Sequence, residues 1–237
     1  MKSNILPIFP PLLRGEKVPA HIDPFLKARA IADCDVDPGL IVWSDSDSML
    51  RSSILLNPQM ELQQALCASY VVMMGLADSL GALGPPELAV QFEWPNRIII
   101  NGAQCGQVRT AANVCDPEAE PNWLVIGIEI PFLPGDDKET GYNPESTTLY
   151  AEGCSSIRPI QLLESWSKHT LVWMNRFLDD GFQPVHDAWR SKCNQIGQVL
   201  EGYRSGIFVG LDDTGNLLCK KNGITEVYAL HDLMEKF

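Results

Sequence analysis

Two short stretches of this chain carry residue types that can do chemistry. In Glu93-Trp94-Pro95-Asn96-Arg97, and in the Gln104-Cys105-Gly106 that follows Asn101-Gly102, three side chains stand out. Arg97 presents a guanidinium fork that matches a carboxylate or phosphate. Gln104 offers an amide donor and acceptor. Cys105 would be an acyl-accepting nucleophile if its thiol pKa were lowered. Farther on, Gly127 and Glu129 share one face of the apolar run Leu124 to Ile130. Gln104 and Cys105 are therefore the candidate catalytic residues. Trp94, Asn96, Arg97, Gln104, Gly106, Gly127 and Glu129 form the candidate ligand-binding set.

Each candidate also has a plainer structural reading. Trp94-Pro95-Asn96 either lines a pocket or makes a strand-edge kink with Trp94 in the core. Arg97 either clamps an anion or pairs at the surface with Glu93 or Glu87. Glu129 is costly on an apolar strand unless paired, and Arg97 and Arg109 are the available cations. Strand alternation turns Cys105 away from Gln104, and only Arg109 lies near it in sequence to lower its pKa, so an unreactive, half-buried thiol is expected. His21, His169, His186 and His231 form no ligand spacing, and Ser44-Asp45-Ser46-Asp47-Ser48 reads as a solvated turn before a cation loop. No metal site is expected.

The elements that must position these residues follow from periodicity. Asn-Gly tolerates the two positive φ angles of a type I′ turn, so Ile98–Ile100 and Gln104–Thr110 should form a tight hairpin. Strands are expected at about 40–43, 52–56, 88–94, 97–101, 104–112 and 123–131. In the last of these, Leu124, Ile126, Ile128 and Ile130 face the helices, which leaves Gly127 and Glu129 toward a cleft. Asp23-Pro24 should open a short helix running to Cys34. Asn57 should cap a helix with Pro58 at its first position, ending near Leu80. Helices are also expected from Pro159 to a Gly181 cap and over Phe182–Lys192. Residues 133–147 read as a surface loop, and from Gly197 short β runs with turns at Asp213-Thr214-Gly215 and Asn222-Gly223 suggest a small barrel-like module.

Length and composition bound the function. At 237 residues with 45% hydrophobic residues, the chain suits one large domain and a small second one. Its net charge of -12 repels phosphate backbones and anionic lipid, so neither nucleic acid nor membrane is expected as a partner. Seven cysteines without a Cys-x-x-Cys pair suit reduced thiols, and no secretory leader follows Met1, so a cytoplasmic location is expected.

The run Glu93 to Val108 resembles the Lys-Trp-Pro-Asn-Asp motif and following hairpin of biotin protein ligases and lipoate–protein ligases, matching at Trp94, Pro95 and Asn96. Trp123 to Ile130 looks like the family's Val-Ile-Gly-x-Gly-x-Asn strand, and Thr148-Leu149-Tyr150-Ala151-Glu152-Gly153 resembles the turn before its helical section. Leu171 to Trp189 is similar to its run into Phe-x-x-x-Gly-Phe and a later Trp. Gly206 to Leu218 is similar to a shortened SH3-like C-terminal domain of biotin ligases. The resemblance implies an α/β (or α+β) fold with a class II synthetase-like mixed sheet over residues 1–195, packed by helices, and a small SH3-like β domain over 196–237.

The departures from that pattern bear on activity. The family's Gly-Arg-Gly-Arg loop, which covers ATP and the acyl-adenylate, is replaced by Ser44 to Arg51 with no glycine and one arginine. The motif lysine is Glu93, its second acidic residue is Arg97, the lysine that meets the reacting carboxyl group is Gln104, and the Asn ending the Gly-x-Gly-x-Asn strand is Pro131. Loss of one preorganised donor at a charge-developing centre typically costs about 10²–10³ in rate. Two readings follow from the resemblance. One is a divergent or non-catalytic member binding a small carboxylate-bearing metabolite. The other is an active ligase or acyltransferase attaching biotin, lipoate or octanoate to a lysine of a biotinyl or lipoyl carrier domain, with ATP and Mg as cofactors if the family activity is retained, or through a cysteine thioester as in octanoyltransferases. A homodimer is compatible with either, whereas no helix-turn-helix precedes the domain to suggest a repressor.

Overall fold

A computed structural model describes residues 6–34, 37–44, 46–134 and 145–235. Seven strands, β1 (Arg14–Val18), β2 (Leu40–Ser44), β3 (Met49–Leu56), β4 (Val90–Glu93), β5 (Arg97–Ile100), β6 (Ala103–Ala112) and β7 (Leu124–Pro131), form one sheet in the order β1-β2-β3-β7-β6-β5-β4. Only the β1–β2 pairing is parallel. A second, antiparallel sheet of four strands, β8 (Val199–Leu200), β9 (Gly206–Leu211), β10 (Leu217–Lys221) and β11 (Ile224–Tyr228), follows in the order β11-β10-β9-β8. Both Asn-Gly turns take the expected positive φ angles, 50° and 91° at Asn101-Gly102 and 51° and 82° at Asn222-Gly223.

Five helices pack on the large sheet: α1 (Pro24–Ala32), α2 (Leu62–Ala65), α3 (Ala68–Leu83), α4 (Pro159–Asp180) and α5 (Gln183–Lys192). The even-numbered face of β7, Leu124 through Ile130, enters the main core with α3 and α4. The opposite face carries α1, whose Phe25 and Ala28 pack with Val42, Leu55 and Val125 in a smaller cluster. Helix α3 lies so close to α4 that a Cβ at Gly75 would fall 2.8 Å from the Thr170 backbone nitrogen. By length and composition Leu62–Leu83 could cross a membrane, yet here it is sandwiched in the core and broken at Cys67.

That break corrects an expectation. The helix does not start at Asn57 and Pro58. It starts at Leu62, because the Leu62 and Gln63 amides find acceptors in the carbonyls of Ala119 and Pro117 at 2.9 and 3.0 Å, and these loop carbonyls replace a side-chain cap. Strand β1 was not anticipated, since five residues with three charges carry no period-2 apolar signal. The Asp23 cap, in contrast, accepts from the Phe25 amide as the sequence implied. Of the predicted 133–147 loop, residues 135–144 lie outside the described residues, while Glu145 and Thr147 extend β6 through hydrogen bonds of 2.9 Å to the Gln104 backbone.

The second sheet is welded to the first. Phe208, Leu211 and Leu217 belong to the main core, and the Tyr70 hydroxyl on α3 donates to the Gly215 carbonyl at 2.6 Å. Gly215 holds φ +77°, and a Cβ there would come 2.5 Å from the Tyr70 ring, so the turn accepts no larger residue.

Candidate functional site

Strand β6 carries one residue too many for its partner. Arg97 pairs with Gln107 but Ile99 pairs with Gln104, so a bulge lies at Cys105-Gly106. Gly106 sits at φ +140°, and a Cβ there would approach the Glu129 carbonyl oxygen to 2.4 Å, which makes its glycine a requirement of the bulge. The bulge shifts parity: Cys105 joins Val108 in the main core, away from the face that carries Gln107 and Arg109. Burial pushes the Cys105 thiol up to about 12, with the Glu152 and Cys154 charges adding to the rise. Incubation with octanoyl-carrier protein should therefore leave the intact mass unchanged, and a hydroxylamine-labile adduct that disappears in Cys105→Ser would contradict this.

On the α1 face, cross-strand partners line up in two polar rows. The first runs Arg51, Glu129, Gln107, Arg97, Glu93, and the second Ser53, Gly127, Arg109. Cross-strand neighbours on one face are close enough to interact. Arg109 is the hub. Its Nη1 reaches the Asp23 carboxylate at 2.8 Å and that of Glu129 at 3.1 Å. Its Nε and Nη2 together grip both carboxylate oxygens of Glu235 at 2.5 and 2.9 Å. Its guanidinium also lies 4.3 Å from the centre of the Phe25 ring. Gln107 donates to the second Glu129 oxygen at 2.8 Å. Arg109 is held above its ordinary pKa, first by the Glu235 hydrogen bond and then, against the opposing effect of burial, by Asp23. Burial alone would raise Asp23, but the Arg109 and Phe25 hydrogen bonds outweigh it and bring the carboxyl below its usual value.

The remaining candidates fall elsewhere. Trp94 lies in the core, its indole N–H donating to the Tyr70 hydroxyl at 2.9 Å and the Gly215 carbonyl at 3.1 Å, so it joins the two sheets and does not line the polar rows. Asn96 closes the β4–β5 loop onto β6, its side-chain amide donating to the Val108 carbonyl at 2.9 Å. Arg97 is exposed and stands 3.6 Å from Glu93. The Gln104 side chain bends back to the Gly106 carbonyl at 3.4 Å. Gly127 does not open onto an empty cleft: a Cβ there would meet the Phe25 ring at 2.8 Å and the Ser53 hydroxyl at 2.9 Å.

Sequence reasoning named Arg109 only as a partner for Glu129 and a neighbour of Cys105, and Asp23 only as a helix start. It missed Phe25, Ser53 and Glu235. The apolar Phe25 among charges of α1 was a visible signal, whereas nothing local links Glu235 to a strand 126 residues away. The β2–β3 interval is a tight turn closed by the Ser46 and Ser48 hydroxyls at 3.2 Å, Asp45 within it lies outside the described residues, and three carboxylates surround the one arginine of the hub. Among the described residues, no group of three or more His, Cys, Asp or Glu is arranged to hold a metal.

Comparison with known proteins places this geometry. Residues 9–191 match the profile of the biotin/lipoate A/B protein ligase family. A solved biotin protein ligase-like protein of unknown function from Silicibacter is 37% identical and superposes with a TM-score of 0.91 over 98% of this chain and 100% of that one. The biotin protein ligase of Aquifex aeolicus shares the fold, with a TM-score of 0.72 over 92% of this chain and 96% of that one at 19% identity. In sequence, the biotin–[acetyl-CoA-carboxylase] ligase of Paracoccus denitrificans is 24% identical over 184 residues, covering 75% of this chain and 76% of its own. The bifunctional ligase/repressor of Bacillus subtilis is 25% identical over 79% of this chain, which spans 59% of that protein's length.

Proposed function

The chain belongs to the biotin/lipoate A/B protein ligase family, and from that premise we propose that it is a divergent member that binds a small carboxylate-bearing metabolite without adenylating it. The observation that carries this reading is the Arg109 hub. Where the family strand reads Gly-x-Gly-x-Asn, this chain has Gly127, Glu129 and Pro131. The carboxylate at the second glycine position turns toward a half-buried arginine, and Phe25 fills the space above the first. The hub itself, three carboxylates around one guanidinium, disfavours a triphosphate, while a fork that already holds one carboxylate has the geometry to take a ligand's carboxylate in its place. Gln104 in the lysine position and the glycine-free β2–β3 turn point the same way.

The active-ligase reading draws its support from the named activity of the Paracoccus relative. It would bring in biotin or lipoate, ATP with Mg, and a carrier domain as partner. Titration of the purified chain with octanoate, biotin and lipoate, without nucleotide or Mg, tests the divergent reading, and pyrophosphate exchange into ATP tests the active one. The divergent reading expects at least one of them to raise the melting temperature in the saturable manner of a ligand that binds only the native state. A flat melting temperature up to millimolar concentrations would remove it.

A further inference from the structure

The three carboxylates on Arg109 are not equivalent. Asp23 caps α1 and Glu129 sits in mid-strand between β3 and β6, so neither can leave without disturbing a regular element. Glu235 follows the last strand, and its side chain is the most exposed of the three, at 38% against 29% and 25%. Among the described residues its backbone is held by one hydrogen bond, from its amide to the Thr110 carbonyl at 2.9 Å, on the edge of β6 beyond the end of β5. Yet this least anchored carboxylate takes the best geometry, the two-pronged grip of Nε and Nη2, which is the arrangement a free carboxylate would take.

We propose that the Nε–Nη2 fork of Arg109 is the seat for the carboxylate of an incoming ligand, and that Glu235 is a tethered carboxylate that holds this seat until the ligand displaces it. The proposal rests on the carboxylate-binding reading above and adds the seat and its internal competitor. Exchange of one carboxylate for another leaves the charge around Arg109 unchanged, so release of Glu235 strands no buried cation. The floor beside the seat also points to a ligand. Ser53, 1% exposed, has a hydroxyl with no hydrogen-bond partner among the described residues. It faces the Gly127 position at 2.9 Å, in the same cross-strand row as Arg109, with the Phe25 ring alongside.

A tethered competitor lowers apparent affinity by the fraction of time it occupies the seat. Octanoate serves as the probe, titrated by calorimetry into the full chain, Glu235→Ala and Arg109→Met, with hydrogen exchange followed at the C-terminal peptide. Expected are binding about tenfold tighter to Glu235→Ala than to the unaltered chain, loss of binding in Arg109→Met, and faster exchange of the Glu235 amide on octanoate addition. If Glu235→Ala does not fold, Glu235→Asp, whose shorter side chain cannot span the fork from the same backbone, replaces it with the same expectation. Equal octanoate affinity with and without Glu235, still abolished by Arg109→Met, would overturn the latch and leave the carboxylate reading standing. Saturable binding indifferent to Arg109 would overturn the seat. No octanoate binding to any variant would overturn the seat and the latch, and the carboxylate reading falls with them if biotin and lipoate also leave the melting temperature flat.

Discussion

Cutting the chain after Lys192 should leave no cooperatively folding remainder. The removed segment contributes Phe208, Leu211, Leu217, Leu230 and Met234 to the main core. At about 1.5–3 kcal/mol for each buried apolar side chain, their loss removes roughly 7–15 kcal/mol, an upper estimate because unfolded chains already bury some surface. That is comparable with the whole stability of an ordinary domain, about 5–15 kcal/mol. The cut also strips the Gly215 carbonyl from the Tyr70 hydroxyl and the Trp94 indole N–H, two donors in the protein interior. A division into units 1–195 and 196–237 is thus proposed as one of architecture and not of independent folding. A truncated chain as soluble and as thermostable as the full one, measured by scanning calorimetry, would contradict this.

Arg109→Met should be the most damaging single substitution on the α1 face. It deprives Asp23, Glu129 and Glu235 of their shared cation. A fully buried pair broken in this way costs about 3–5 kcal/mol; with side-chain exposures of 25–38% on the carboxylates, roughly 2–3 kcal/mol is expected, or about 4–12 °C in melting temperature for a chain of this size. The pH dependence should also flatten. In the unaltered chain Asp23 sits below its ordinary 3.8, so its contribution is complete above that value and is lost as pH falls through the lower folded value. Without Arg109, burial is opposed by the Phe25 and Leu26 amides alone, so the folded value rises relative to the parent and the stability that Asp23 loses as pH falls from about 5 to about 2.5 should shrink in the variant. Denaturant unfolding at the two pH values measures this, and parallel pH profiles for parent and variant would contradict it.

The legible part of the fold was the part written in short-range patterns. Asn101-Gly102 and Asn222-Gly223 announced their hairpins, Asp23 its cap, and the isoleucine alternation of β7 its two faces. The illegible part depended on groups distant in the chain. Asn57 and Pro58 looked like a helix start because the loop carbonyls of Pro117 and Ala119 could not be seen from the sequence. The α1 face was likewise half read. Glu129 and Arg97 were grouped, and the row Glu129, Gln107, Arg97 does join them, with Arg97 at its exposed end beside Glu93, but Trp94, grouped with them by adjacency, turns into the core. Arg109 became central only when α1 and the C-terminal segment converged on it. The bulge at Gly106 leaves Cys105 turned from Gln104, as simple alternation had suggested, while moving it onto the core face with Val108.

The central claim is that this member of the family does not form an acyl-adenylate, and exchange of labelled pyrophosphate into ATP measures that step directly. With purified full-length chain, Mg and either biotin or lipoate, the account predicts exchange no greater than in the absence of the acid. Robust exchange dependent on biotin or lipoate would contradict it and assign the chain the ligase chemistry of its relatives.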